Sequence, residues 1–239
     1  MSLKIAMIGY GKMGREIEKI SEQRGHKLIL KINSSNLDEF NEKNLEYVDV
    51  AIEFSTPGVA VINLLKLAKS KIPTVCGTTA WLKDYNKVTE EYIKNETAFL
   101  YASNFSIGVN LFFKLNEELA KMMSAYSNYD VNMKEIHHLQ KLDAPSGTAV
   151  TLANQICQIS EQKKSWSLDN NEKDTLFINA IREGEVKGLH RINYESEEDI
   201  ISIQHEAKSR KGFALGSILA AEWIINKNGI YNMKDVLNI

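Results

Sequence analysis

An α/β chain is predicted, with a doubly wound parallel sheet in its first half and a second α+β domain built on a mixed sheet. Three features of the 239 residues point to it. Short apolar runs alternate with helix-spaced apolar residues up to about residue 107. The pattern then turns to successive strand-like runs joined by short polar turns. A glycine-rich turn follows the first apolar run directly, where a parallel sheet would place a ligand.

In chain order, Leu3 to Ile8 is a short apolar run of the kind a strand buried on both faces requires. Met13, Ile17 and Ile20 then recur at helical spacing. Leu28 to Ile32, Val48 to Phe54, Thr74 to Cys76 and Ala98 to Ala102 read as further strands. Helices are predicted over Val59 to Ala68 and around Leu82, Tyr85, Val88 and Tyr92. In the second half a helix from about Asn110 to Met123 precedes Val131 to Ile136, which alternates as a half-exposed strand does. Ser146 to Ser160 reads as a helix, with Leu152, Ile156 and Ile159 on one face. Leu176 to Ile181, His190 to Tyr194 and Ile200 to His205 read as three strands, and Phe213 to Ile225 as a final helix. The polar stretch Glu161 to Lys173 is expected to be an exposed loop.

Formal net charge is −2, so no global field favours nucleic acid or an anionic membrane. No apolar run approaches the roughly 20 residues of a membrane helix, and the start of the chain lacks the pattern of a signal peptide. Cys76 and Cys157 form neither a disulfide framework nor a metal spacing, which fits free thiols in the cytoplasm.

Gly9-Tyr10-Gly11-Lys12-Met13-Gly14 matches GxGxxG between a strand and a helix. In that place Gly9 permits a tight turn, Gly11 lets the backbone approach a pyrophosphate, and Gly14 lets the helix pack closely. A dinucleotide is therefore expected on the amides of the helix start. The position that would read the adenosine ribose falls at Asn33-Ser34-Ser35. With no carboxylate to bind a 2′-hydroxyl or repel a 2′-phosphate, the cofactor is NADPH or NADH, with NADPH favoured. The segments Phe54-Ser55-Thr56-Pro57, Gly77-Thr78-Thr79 and Ala102-Ser103-Asn104-Phe105 stand at consecutive strand ends, where small polar residues can line a cofactor. As single segments they are equally ordinary turn residues.

Glu135 to Ala149, EIHHLQKLDAPSGTA, gathers His137, His138, Lys141 and a Ser146-Gly147-Thr148 helix start. The helix start offers amides and hydroxyls to a carboxylate, Lys141 adds a full positive charge, and a histidine can deliver a proton near neutral pH. A small anionic substrate that accepts a proton suits this set. No third ligand stands at metal spacing, so no metal is predicted. A different oxidoreductase of the same general build, or a non-catalytic nucleotide sensor, would also carry the glycine turn. The His137 to Thr148 cluster argues against both.

These motifs, in order GYGKMGR, EFSTP, GTT, ASNFSIGVN, EIHHLQKLDAPSGTA, REGEVKGLH and Ser209-Arg210, closely resemble the dihydrodipicolinate reductase family over nearly the whole chain. The resemblance implies a Rossmann-type dinucleotide-binding domain over 1–107 completed by 212–239, and a substrate-binding and oligomerisation domain over 108–211. It implies reduction of a cyclic imino-dicarboxylate, 4-hydroxy-tetrahydrodipicolinate, by NAD(P)H in lysine and diaminopimelate biosynthesis, in a homotetramer. It further implies His137 as proton donor and Lys141 as second catalytic residue. His138, Gly147 and Thr148, with Ser146 beside them, correspond to substrate-binding positions, and Arg210 is a nearby candidate. Gly9, Tyr10, Gly11, Lys12, Met13, Gly14, Asn33, Gly77, Thr78, Thr79, Ala102, Ser103, Asn104 and Phe105 correspond to the cofactor segments. Two departures stand out: Asn33 replaces an acidic residue common in the family, and Thr56 stands where some members have arginine.

Overall fold

The computed structural model describes residues 2–169, 174–209 and 211–239. The chain divides into two compact units, Met1–Ile107 with Lys211–Ile239, and Gly108–Arg210. The first is a six-stranded parallel sheet with helices on both faces and the second a five-stranded mixed sheet with helices, so the predicted fold class is the one observed.

In the first unit β1 (Lys4–Ile8), β2 (Lys27–Ile32), β3 (Val50–Glu53), β4 (Thr74–Cys76) and β5 (Ala98–Tyr101) are the five predicted strands. With β11 (Gly229–Tyr231) the sheet order is β11-β5-β4-β3-β1-β2, all parallel. The sixth strand, β11, extends the β5 edge and has no counterpart among the predicted elements. Helices α1 (Lys12–Gln23) and α7 (Lys211–Ile224) pack together on one face. Helices α3 (Pro57–Lys69) and α4 (Tyr85–Lys94) cover the other, with the short α2 (Glu42–Leu45) closing the core beside β1 and β2. Since β1 leads outward to β2 and the chain returns to β3 on its other side, the switch point of the sheet lies between β1 and β3.

Helix α7 owes its close seat to small residues: Ala214, Gly216, Ser217, Ala220 and Ala221 are all fully buried. A methyl group on Gly216 would lie 1.7 Å from the carbonyl oxygen of Phe105, the residue that ends the turn after β5. The chain closes with the short α8 (Met233–Leu237), begun by an Asn232–Asp235 capping box.

In the second unit α5 (Ile107–Met123) and α6 (Gly147–Ile159) pack on one face of a sheet of β6 (Asp130–His137), β7 (Ser165–Ser167), β8 (Thr175–Arg182), β9 (Leu189–Glu195) and β10 (Ile200–Glu206). The strand order is β10-β9-β6-β8-β7. Strands β6, β8 and β7 run parallel, while β9 is antiparallel to both β6 and β10. One prediction needs correction here. The stretch expected as an exposed loop contains β7, which pairs with β8, and Lys163, which is buried and ion-paired to Asp130 at 2.8 Å. A three-residue strand is too short to leave a periodic signal among polar neighbours. The remainder of that stretch, 170–173, lies outside the described residues.

Substituting Gly216 by Ala tests the α7 contact. Helix propensity alone would favour Ala by about 1 kcal/mol, but overpacking against fixed backbone costs about 1–3 kcal/mol. The displacement needed here is large, so a net fall in Tm of several degrees is expected by calorimetry. A Tm equal to or above that of the parent would overturn the packing argument.

Candidate active site

The loops at the carboxyl ends of the first sheet are locked to one another by short-range contacts. Gly9 has φ +93°, and a Cβ there would lie 2.2 Å from the Phe54 carbonyl oxygen, so the turns after β1 and β3 touch across the switch point. The amides of Gly9 and Tyr10 both donate to Ile32 O, at 2.9 and 2.8 Å, which ties the glycine turn to the end of β2 beside Asn33. Glu53 is fully buried and accepts from the Ser55 amide (3.2 Å), the Ser55 hydroxyl and the Cys76 thiol (3.3 Å). Burial and the Glu53 charge push the Cys76 thiol well up, which keeps it protonated and unreactive. The Ser55 amide also donates to Thr78 Oγ1 at 2.8 Å, and the Phe54 and Phe105 rings pack at 5.6 Å.

These contacts sort the predicted cofactor residues. Gly9, Gly11, Lys12 and Met13 line the turn and the start of α1, where no side chain caps the helix. Gly14, Thr78, Ala102 and Phe105 are buried beneath the loops, Gly77 and Asn104 are half-buried, and Thr79 and Ser103 are exposed. Tyr10 is anchored by its hydroxyl to Glu18, which also pairs with Lys31. Asn33 Oδ1 accepts from both the amide (2.8 Å) and the hydroxyl (2.6 Å) of Ser35, so the group it can still offer is its amide NH2. An uncapped helix start, a glycine turn and donors at the end of β2 fit a dinucleotide phosphate.

In the second unit, alternation along β6 puts Val131, Met133, Glu135 and His137 on the face beneath α5 and α6. The strand register sets His190 of β9 beside Glu135 and Arg182 of β8 beside His137. Ser146, the N-cap of α6, closes the group from above. Its amide donates to both Glu135 oxygens at 3.1 Å and its hydroxyl donates to Oε2 at 2.5 Å, while Arg182 Nη2 lies 3.1 Å from Oε1. His137 Nδ1 and His190 Nε2 both stand 3.6 Å from Oε2, and the two rings meet edge to face at 5.1 Å.

Burial pushes the Glu135 carboxyl up, but the His190 ring, the Ser146 hydroxyl and amide and the charge of His137 together bring it down to about 2. Burial pushes His137 down; Glu135 raises it, while His190, Lys141 and Arg182 lower it further, to about 4. The free protein therefore holds His137 neutral at pH 7. Its Nδ1 has no hydrogen-bond partner among the described residues, and a side chain at Gly188 would begin 3.1 Å from its Nε2.

Arg182 also fastens the loop that carries Lys141. It donates from Nε to Lys141 O at 3.3 Å and from Nη2 to Asp143 O. Lys141 Nζ is paired with the exposed Asp143 carboxylate at 2.7 Å, which lowers the Asp143 pKa. Of the predicted residues, His137, Lys141 and Ser146 are thus joined through Glu135 and Arg182, and Gly147 and Thr148 form the first turn of α6 that Ser146 caps. His138 lies just beyond the end of β6, and its Nδ1 is buried without a hydrogen-bond partner among the described residues. Arg210 lies outside the described residues.

Glu135, Arg182 and His190 were missed as site residues by sequence reasoning. The signal lay in the strand period, which places charged or titratable residues in phase with buried Met133 and Ile192. Spacing along the chain gives no third metal ligand, yet folding brings one ligand atom each of Glu135, His137 and His190 within 4.8 Å of one another. The Arg182 guanidinium on the same carboxylate opposes a cation there, and the set is better suited to holding protons.

Residues 3–105 match the family model described as dihydrodipicolinate reductase, N-terminus, and 108–237 the one described as its C-terminus. The chain is 50% identical to a 4-hydroxy-tetrahydrodipicolinate reductase of Christiangramia forsetii, over 99% of this chain and 98% of that one. A Bdellovibrio bacteriovorus enzyme of the same name is 36% identical, covering 98% and 96%. The solved structure of a dipicolinate-bound dihydrodipicolinate reductase from Paenisporosarcina sp. TG-14 superposes with a TM-score of 0.78 at 22% identity, covering 98% and 99%. No helix among the described residues is long and apolar enough to cross a membrane. The chain belongs to the dihydrodipicolinate reductase family, NAD(P)H-dependent oxidoreductases that reduce 4-hydroxy-tetrahydrodipicolinate to tetrahydrodipicolinate on the route to diaminopimelate and lysine.

Proposed function

We propose that the first unit holds NAD(P)H on the Gly9–Gly14 turn and the Gly77–Thr79 and Ala102–Phe105 segments, and that the second binds the dicarboxylate substrate and manages its proton. The bound nicotinamide supplies the hydride. One substrate carboxylate sits on the amides of Gly147 and Thr148, with Lys141 released from Asp143 to pair with it, and His138 adds a further contact. Ser146 serves by capping the helix that presents those amides, since its own donors are spent on Glu135. His137 delivers the proton. The observation that carries this reading is the convergence of His137, the Lys141 loop and the α6 start on Glu135 and Arg182. A reductase assay following cofactor absorbance, with substrate generated by a coupled synthase, tests it. No absorbance loss with either NADH or NADPH would defeat it.

The residue roles have their own tests. General acid catalysis contributes about 10²–10⁴-fold, so His137→Gln should lower kcat by a factor in that range. An unchanged kcat removes His137 from the acid role. Lys141→Ala should both raise KM and lower kcat, because it removes a charge that binds the substrate and one that steadies the developing negative charge.

A dianion beside His137 raises its pKa from about 4, so binding should draw a proton onto the imidazole. Calorimetry of dipicolinate binding near pH 7, in two buffers of different ionisation enthalpy, should show proton uptake. Heats independent of the buffer would refute it.

For the cofactor we favour NADPH, because Asn33 presents a donor where a carboxylate would repel a 2′-phosphate. Asn33→Asp should move the ratio of kcat/KM towards NADH. A parent enzyme at least tenfold more efficient with NADH would overturn the preference. We also propose a homotetramer in the cytoplasm. The second sheet turns Asn132, Lys134, Asn179 and Asn193 away from its helices, and Ile200 of the edge strand, in register with Glu195, is exposed. That is the face we assign to partner subunits.

A further inference from the structure

We propose that Glu135 is the positioning residue of the reaction: its buried carboxylate holds the His137 imidazole in place and supplies the countercharge under which that ring can carry a proton. The proposal rests on the reading of His137 as proton donor and adds a residue that acts through it.

The geometry is specific. Glu135 and His137 are two residues apart on one face of β6, and Nδ1 of the ring faces Oε2 at 3.6 Å. That nitrogen is buried and without a hydrogen-bond partner among the described residues, so a small shift of the ring completes an Nδ1–H···carboxylate bond when the ring is protonated. Nε2, at the far end of the ring, faces Gly188, which has no side chain to cover it. The carboxylate cannot turn away, because Ser146 on α6 and Arg182 on β8 hold both oxygens. The charged and titratable groups around His137 are Glu135 on its own strand, Arg182 on β8, His190 on β9 and Lys141 in the following loop. Among these Glu135 alone favours the imidazolium, and the others disfavour it. Removing that one charge should therefore leave a ring that is present but hard to protonate.

A double-mutant cycle tests this with Glu135→Gln, which keeps the shape and removes the charge, and His137→Gln. NAD(P)H binding, followed by fluorescence, and Tm serve as checks on folding. Glu135→Gln should lower kcat at pH 7 at least about tenfold, a modest share of a general-acid contribution. It should also move the fall of kcat with rising pH to lower pH, so that acidification restores part of the activity. Glu135→Asp keeps the charge and should keep the pH profile while losing some rate. In the His137→Gln background Glu135→Gln should have little further effect, because both act on one proton.

Parent-like kcat in Glu135→Gln, an unmoved pH profile, or losses that multiply in the double mutant would overturn the proposal. Full activity in His137→Gln alone would instead sink the reading on which it rests. If Glu135→Gln fails to fold, the cycle is run with Glu135→Asp, where multiplying losses again decide against it.

Discussion

Glu135 carries its carboxylate at a fully buried position of β6, and an unpaired charge there would cost several kcal/mol. The second unit is arranged around meeting that cost. Two donors come from Ser146 at the start of α6 and one from Arg182 at the end of β8, and the His137 and His190 rings fill the remaining approaches. Removing one partner of such a group typically costs about 3–5 kcal/mol, since the other charge stays buried. The consequence for function is positional. The α6 start, the Lys141 loop and the His137 strand are otherwise independent pieces of chain, and the same carboxylate and guanidinium fix all three.

The first unit meets a similar demand in a similar way. Glu53 ends β3 fully buried, and the next turn folds back so that the amide and hydroxyl of Ser55 both reach it. In each unit a serine gives its backbone and side-chain donors to a buried carboxylate on a strand, at the last residue of β3 and two residues before the end of β6. Each loop is thereby set by groups that the ligand does not have to organise on arrival, which cuts the ordering cost of binding. The turns after β3 and β4 are joined by the Ser55–Thr78 hydrogen bond, and those after β1 and β3 by the close approach of Gly9 to Phe54.

Much of this was legible in the sequence, for reasons that are physical. Strands β1, β3, β4 and β5 are buried on both faces and so read as apolar runs, the edge strand β2 keeps enough apolar residues to be found, and the glycine turn has a backbone geometry few other residues tolerate. Strands β7 and β11 were missed because three residues carry no usable period, and their pairing is decided by what lies beside them in the fold. In the site, His137, Lys141 and the Ser146 helix start are adjacent in sequence and visible as a motif. Arg182 and His190 come from strands much later in the chain, and only the register of β8 and β9 against β6 brings them in. Ser146 shows the reverse case: its residue type suggested a ligand contact, and the fold uses both its donors internally.

The charge balance of the second unit's cluster gives a physical basis for the proton uptake proposed on binding. At neutral pH Lys141 and Arg182 face Asp143 and Glu135, two cations against two anions, and His137 is neutral. These two ion pairs are therefore balanced before any substrate arrives. A dicarboxylate adds two negative charges to a partly desolvated volume, where uncompensated charge is expensive. In the proposed reading Lys141 exchanges Asp143 for the ligand, since Asp143 is exposed and water can solvate it once released. That exchange supplies one charge. In the proposed reading the other comes from His137, whose Nδ1 already faces a carboxylate at 3.6 Å. If His137 is the acid, as proposed, its low pKa in the free protein fits that role: the imidazole would stay neutral until a dianion makes protonation favourable.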